Sequence, residues 1–134
     1  MSASPTLLDA LTSEVVLLDG GLATELERRG HDLSSDLWSA RLLAENPGEV
    51  RAVHAAYFAA GAQVATTASY QASYEGLAAI GQDETATDRL LRHSVVLARE
   101  AADEAQSRTG RPCWVAASVG PYGAMLADGQ EYTG

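Results

Sequence analysis

Three short apolar runs, each leading into a polar turn, constrain this fold more than any other feature of the chain. They are VVLL (15–18), AQVATT (62–67) and CWVAASV (113–119). VVLL is short, β-branched at its start and continuously apolar, as a strand buried on both faces would be. The other two read the same way. Between the first two runs, Leu22 to Arg29 forms a short helix with Gly30 as its left-handed stop. Asp36 to Leu43 is a second helical stretch, broken at ENPG. A third helix runs from Pro47 to about Ala60, with Asn46 as N-cap, Glu49 closing a capping box and Gly61 as its end. Its apolar face carries Val50, Val53, His54, Tyr57 and Phe58.

Between the second and third runs, ASYQASYEGLAAIG is a loop entering a weak helix, and Asp83 to Arg108 is the clearest helix of the chain. Leu90, Leu91, Leu97, Ala98, Ala101 and Ala105 make its apolar stripe. Asp88 with Arg92, and Arg99 with Asp103, are i,i+4 pairs on its wet side. Residues 1–13 are a polar lead-in with at most one helical turn. Strands alternating with helices predict parallel βαβ units with right-handed crossovers. Three parallel strands must be covered on both faces or closed into a barrel. The fold class is therefore α/β, and the expected architecture is the N-terminal part, about three βα units, of a (β/α)8 TIM barrel. Such a barrel needs about 250 residues, so residues 1–134 read as one partial domain truncated at its C-terminus.

Composition narrows the partners. Formal net charge is −9, and the nine basic residues are arginines scattered along the chain. No basic stripe forms, which argues against nucleic acid and anionic membrane. No apolar run approaches a membrane span, and MSASPTLLDALTSE lacks the pattern of a secretory signal. One cysteine, Cys113, rules out an internal disulfide. A cytoplasmic enzyme, or part of one, is the expectation.

In a barrel, the C-terminal ends of the strands and the loops after them build the active site. Asp19 ends the first strand, TASYQAS (67–73) follows the second and SVGPYG (118–123) follows the third. A carboxylate on that rim can hold a substrate ammonium, and Gly20 and Gly21 let backbone approach a ligand. Thr67, Ser69, Gln71 and Ser118 offer neutral hydrogen bonds. Plainer readings stand beside these. Residue type alone favours Asp19 as a cap for the helix from residue 22, and the serines can satisfy loop backbone. Tyr57, Phe58, Trp114 and His54 read as core, and His31 and His93 as surface. Cys113, at the far end of its strand from the rim, reads as a small buried apolar residue. GGLATELERRG lacks the spacing of a Rossmann fingerprint or a P-loop.

Three separated motifs, in order, carry a resemblance: LLDGGLATELERRG, DLWSARLLAENPGEVRAVHAAYFAAGAQVATTASYQAS and SVGPYGAMLADGQEYTG. From about Val16 to Gly134 the chain resembles the homocysteine S-methyltransferase family, most nearly its S-methylmethionine-dependent type. The resemblance implies a zinc-bearing barrel that methylates homocysteine to methionine, a step of methionine biosynthesis. Its partners are homocysteine and a sulfonium methyl donor, S-methylmethionine or S-adenosylmethionine; oligomeric state stays open. It implies a zinc ion held by three cysteine thiolates that binds the homocysteine sulfur and deprotonates it, and neutral thioether departure from the donor. Carried over by motif, Asp19 beside Gly20 and Gly21 binds homocysteine. The Thr67–Ser73 loop lines the same pocket, and Ser118 to Gly120 form the adjacent wall.

The zinc cysteines and a homocysteine-binding glutamate of the family belong to later barrel strands, and no motif here matches them. Cys113 alone cannot make a three-thiolate site, so no catalytic residue and no metal ligand is expected among these 134 residues. The alternatives are a natural truncated, noncatalytic barrel fragment that serves as a binding or partner module, and an unrelated small α/β binding module. Three strands without their neighbours leave edges and apolar faces bare, so the isolated chain is expected to be poorly soluble, partly molten or oligomeric. It is also expected to form no methionine from homocysteine and S-methylmethionine in a zinc-supplemented assay.

Overall fold

Turn chemistry and apolar spacing set most of the helix boundaries in this chain. The computed structural model describes residues 4–120, and the remainder of the glycine-bearing loop expected after the third strand lies outside them. Helix α1 (Leu7–Leu11) is a short turn closed by a capping box between Thr6 and Asp9. Helix α2 (Leu22–Arg28) follows an extended Gly21, and Gly30 beyond it has φ +89°. Helix α3 (Trp38–Glu45) begins two residues later than the sequence reading, because Leu37 takes a left-handed conformation, φ 54°, just before it.

Helix α4 (Pro47–Ala59) starts on Pro47 as expected, but the capping box does not form. The Glu49 carboxylate turns instead to Arg29 at 3.2 Å and His31 at 3.3 Å. Strand β1 (Val64–Thr66) leads to α5 (Tyr74–Ala78), α6 (Glu84–Thr109) and β2 (Trp114–Ala116). Asp83 caps α6 by accepting from the Ala86 amide, and Gly110 ends it at φ +72°. The Arg99–Asp103 pair lies at 3.8 Å on its wet side. Asp88 accepts the Tyr74 hydroxyl hydrogen. Arg51 of α4 reaches across to Glu100 and Glu104, at 3.1 and 2.9 Å.

The architecture is mixed α/β with parallel pairing. β1 and β2 run parallel, with Val64 opposite Trp114 and Thr66 opposite Ala116. The first apolar run joins the other edge of β1 by a parallel bridge, Leu18 to Val64. Around that bridge the Gln63 amide donates to the Leu17 carbonyl at 2.8 Å, and the Asp19 amide donates to the Val64 carbonyl at 3.0 Å. The expected burial of the outer strands does not hold. Val15 is 83% and Leu18 68% exposed, and β2 is half-buried throughout. Each outer run has β1 on one side and no strand among the described residues on the other. Val64 and Ala65 of central β1 are buried as expected.

Small side chains let α6 approach β1 and α4 closely. Ala98, Ala101, Ala102 and Ala105 form one cluster with Phe58, Ala65 and Cys113, and Val115 packs against it. A second cluster joins Leu43, Val50, Ala68 and Leu97. Thr87 and Ser94 complete the buried face of α6, and the Ser94 hydroxyl donates to the Leu91 carbonyl within the helix. Among the described residues no helix is long and apolar enough to cross a membrane.

Ala102 is fully buried in the α6 seam, so Ala102→Leu is expected to cost about 1–3 kcal/mol by overpacking. Val95→Ala, at a surface position of the same helix, is expected to change stability by less than about 0.5 kcal/mol. Urea unfolding of the two variants checks the contrast.

Candidate functional site

The parallel register brings three chain segments to one end of the sheet. Asp19 follows the Leu18 bridge, Thr67 follows β1 and Ser118 lies just beyond β2. Together they edge a cavity of about 750 Å³. Asp19, Gly20, Gly21, Thr67, Gln71 and Ser118 line it, all named from the sequence. Ser69 and Gly120, named with them, are not in the lining. Ser69 is 8% exposed and lies behind Thr67, to which its hydroxyl is hydrogen-bonded at 2.7 Å. Gly120 packs against the Tyr70 backbone so closely that a side chain there would collide with the Tyr70 carbonyl. A shallower depression of about 640 Å³ runs along α6 beside Arg89, Arg92 and His93, away from the strand ends.

Asp19 does not cap α2. Gly21 occupies the N-cap position, and the Asp19 carboxylate crosses to the next strand. There it accepts from the Thr66 amide at 2.8 Å and the Thr66 hydroxyl at 2.9 Å. The two oxygens are thereby held in one orientation at the cavity edge, and each keeps further acceptor capacity. The cavity thus presents a fixed anion whose remaining lone pairs suit a cationic or N–H donor.

Tyr70, within the Thr67–Ser73 loop expected there, also belongs to the lining, and Trp38, Ser39 and Thr66 belong to it and were missed from the sequence. Ser39 fixes Gln71: its hydroxyl donates to the Gln71 carboxamide oxygen at 2.7 Å and its amide at 3.3 Å. With its oxygen so engaged, Gln71 has its NH₂ group to offer a ligand. No local pattern marks Ser39, because its partner lies 32 positions away.

Tyr57, read as core, is only half-buried and supports the glycine turn. Its hydroxyl donates to the Gly21 carbonyl at 2.7 Å. Its ring lies on Gly20, where an added Cβ would meet Cε1 at 2.8 Å and the hydroxyl oxygen at 2.9 Å. His54, one helical turn earlier, is buried as expected at 2% exposure. Its Nε2 has no hydrogen-bond partner among the described residues. Burial holds its pKa below the ordinary histidine range, with the Asp19 charge pulling partly the other way.

Two expectations follow. Tyr57→Phe is expected to lose about 1 kcal/mol of stability with the hydroxyl bond. Gly20→Ala displaces the same ring, so in a double-mutant cycle by urea unfolding the two losses are less than additive. Because folding depresses the His54 pKa, the unfolded chain binds more protons than the folded one as pH falls through roughly 6–7. Stability is therefore expected to drop on acidification through that window, with a smaller drop in His54→Gln, as urea midpoints at several pH values will report.

Comparison with known proteins bears on what such a site does. A family model described as homocysteine S-methyltransferase matches residues 16–134. The chain is 52% identical over 128 residues to a homocysteine S-methyltransferase of Bacillus subtilis, covering 92% of this chain and 41% of that protein. It is 46% identical over 133 residues to a selenocysteine Se-methyltransferase of Brassica oleracea, covering 92% of this chain and 38% of that one. The metallated form of the Escherichia coli homocysteine methyltransferase MmuM superposes with a TM-score of 0.84 at 51% identity, over 91% of this chain and 43% of that one. The chain thus spans about two fifths of the length of the curated relatives it matches. With the motifs, the parallel α/β fold and a family match covering nearly its whole length, the chain belongs to the homocysteine S-methyltransferase family.

Proposed function

We propose that this chain forms the amino-acid-binding wall of a homocysteine S-methyltransferase. The complete site would transfer a methyl group from S-methylmethionine or S-adenosylmethionine to the sulfur of homocysteine, giving methionine in the cytoplasm. The observation that carries the reading is the Asp19 carboxylate, pinned by Thr66 at the edge of a cavity large enough for a small amino acid. In this proposal Asp19 takes the homocysteine ammonium by a charge-assisted hydrogen bond. Gly20 and Gly21 let the backbone approach the ligand, and Thr67 and Ser118 line the pocket beside it. The Gln71 NH₂, left free to donate by the Ser39 bonds to its oxygen, takes the homocysteine carboxylate in this proposal. Ser69 and Gly120 support this wall from behind.

The proposed architecture is the N-terminal part of a (β/α)8 barrel, with residues 1–134 as a partial domain. The parallel order, the cavity at the C-terminal strand ends and the bare outer edges of the first run and β2 support it. In the reaction a new S–CH₃ bond forms as the donor's sulfonium C–S bond breaks. The donor leaves as a neutral thioether, and the homocysteine thiol gives up its proton.

Zinc, which the family resemblance implies, does not fit the residues described. No cluster of three His, Cys, Asp or Glu side chains among them could hold a metal ion. Cys113 is buried at the opposite end of β2 from the cavity, and burial pushes its thiol pKa up. The role proposed for this chain is therefore binding and orientation of the amino acid, with thiol activation left to groups beyond the described residues.

Isothermal titration of the protein as its gene encodes it, with L-homocysteine under reducing conditions, tests the proposal. Asp19→Asn is expected to weaken binding by about tenfold or more, the usual effect of losing a charge-assisted bond. Unchanged affinity in Asp19→Asn, with the fold intact by circular dichroism, would overturn it.

A further inference from the structure

Thr67, Ser69 and Ser118 close a hydrogen-bonded ring behind the cavity wall, and the ring settles the direction of every proton in it. The Ser69 hydroxyl donates to the Ser118 carbonyl at 2.7 Å, a group that can only accept. The Ser118 amide donates to the Thr67 hydroxyl oxygen at 2.9 Å. The third side, 2.7 Å between the Thr67 and Ser69 hydroxyl oxygens, could in isolation be donated from either end. Ser69 has one hydroxyl proton, and the Ser118 carbonyl has it. Thr67 must therefore donate to Ser69.

Thr67 is 3% exposed and lines the cavity, whereas Ser69 does not. A hydroxyl has one proton and two lone pairs. In Thr67 the proton goes to Ser69 and one lone pair takes the Ser118 amide, so one lone pair is left for a ligand. With the Asp19 carboxylate on the same cavity, this adds an acceptor to the wall and no donor from Thr67. We infer that Ser69 is a positioning residue that never touches the ligand: through the ring it holds Thr67 as an acceptor, biasing that part of the wall toward the ligand's protonated amine.

This rests on the amino-acid reading of the cavity. Its own signature is a change in discrimination rather than in affinity alone. The probes are L-homocysteine and its desamino analogue 4-mercaptobutanoate, titrated calorimetrically under reducing conditions into the protein as its gene encodes it. Ser69→Ala frees the Thr67 proton to turn toward the cavity. It is expected to lower the preference for homocysteine over the analogue by about tenfold, in the range of one hydrogen bond made or lost at a binding site. Ser69→Thr, which keeps the hydroxyl, is expected to restore the wild-type preference.

Thr67→Val removes the acceptor while leaving the Ser69-to-Ser118 bond in place. It is expected to lose the same preference, and it serves as the test if Ser69→Ala does not fold. Equal weakening of both ligands in Ser69→Ala, as general loosening would produce, overturns the inference. So does an unchanged preference in Thr67→Val. A wild-type protein that binds neither probe, or both equally, overturns the amino-acid reading and this inference with it. Tight wild-type discrimination that survives both variants overturns the positioning role alone.

Discussion

Pairing on both edges of one three-residue strand is the interaction on which the rest of this structure depends. Val64–Thr66 is hydrogen-bonded to Leu17–Asp19 on one side and to Trp114–Ala116 on the other. Its two flanking partners come from opposite ends of the described chain. If β1 were lost, neither the first apolar run nor β2 would have a strand to pair with among the described residues. Parallel pairing needs covered faces, and α4 and α6 supply the cover. The alanine face of α6 brings that long helix close to β1, and Phe58 of α4 fills the seam between them.

The same strand organises the candidate site. Thr66 is its last residue, and its amide and hydroxyl both hold the Asp19 carboxylate. Thr67, the next residue, donates its amide to the Ala116 carbonyl and accepts the Ser118 amide on its hydroxyl. Two adjacent threonines thus tie the strand end to both neighbours, one to the left through a carboxylate and one to the right through backbone and hydroxyls. On its sheet side the cavity is tied by these bonds. On the helix side it depends on longer reaches, from Tyr57 to the Gly21 carbonyl and from Ser39 to Gln71.

Two acidic residues depart from local rules. Asp19 lies two residues ahead of the N-cap Gly21, and its carboxylate serves another strand rather than α2. Glu49 sits at the third position of α4, where it could close a capping box, yet it pairs with Arg29 and His31. In both cases the side chain took a long-range option. The long-range donors were cationic or preorganised by the sheet.

Much of the architecture was legible from the chain alone, for a simple reason. Helix stops at Gly30, Gly61 and Gly110, the start at Pro47 and the alternation of strand and helix follow from backbone sterics and local apolar spacing. Two of the three apolar runs contain strands, β1 and β2, while the first contributes only the Leu18 bridge, and their order placed Asp19, Thr67 and Ser118 at one end of the sheet. Tertiary structure alone decided how buried those strands are, because burial depends on what lies beyond each edge: β1 has neighbours on both sides, while Val15 and Leu18 stand open. It also decided that Tyr57 props the glycine turn, that Ser39 fixes Gln71 and that Ser69 stands behind Thr67. The first two contacts join residues more than thirty positions apart, and all three depend on a side-chain direction that no spacing rule carries.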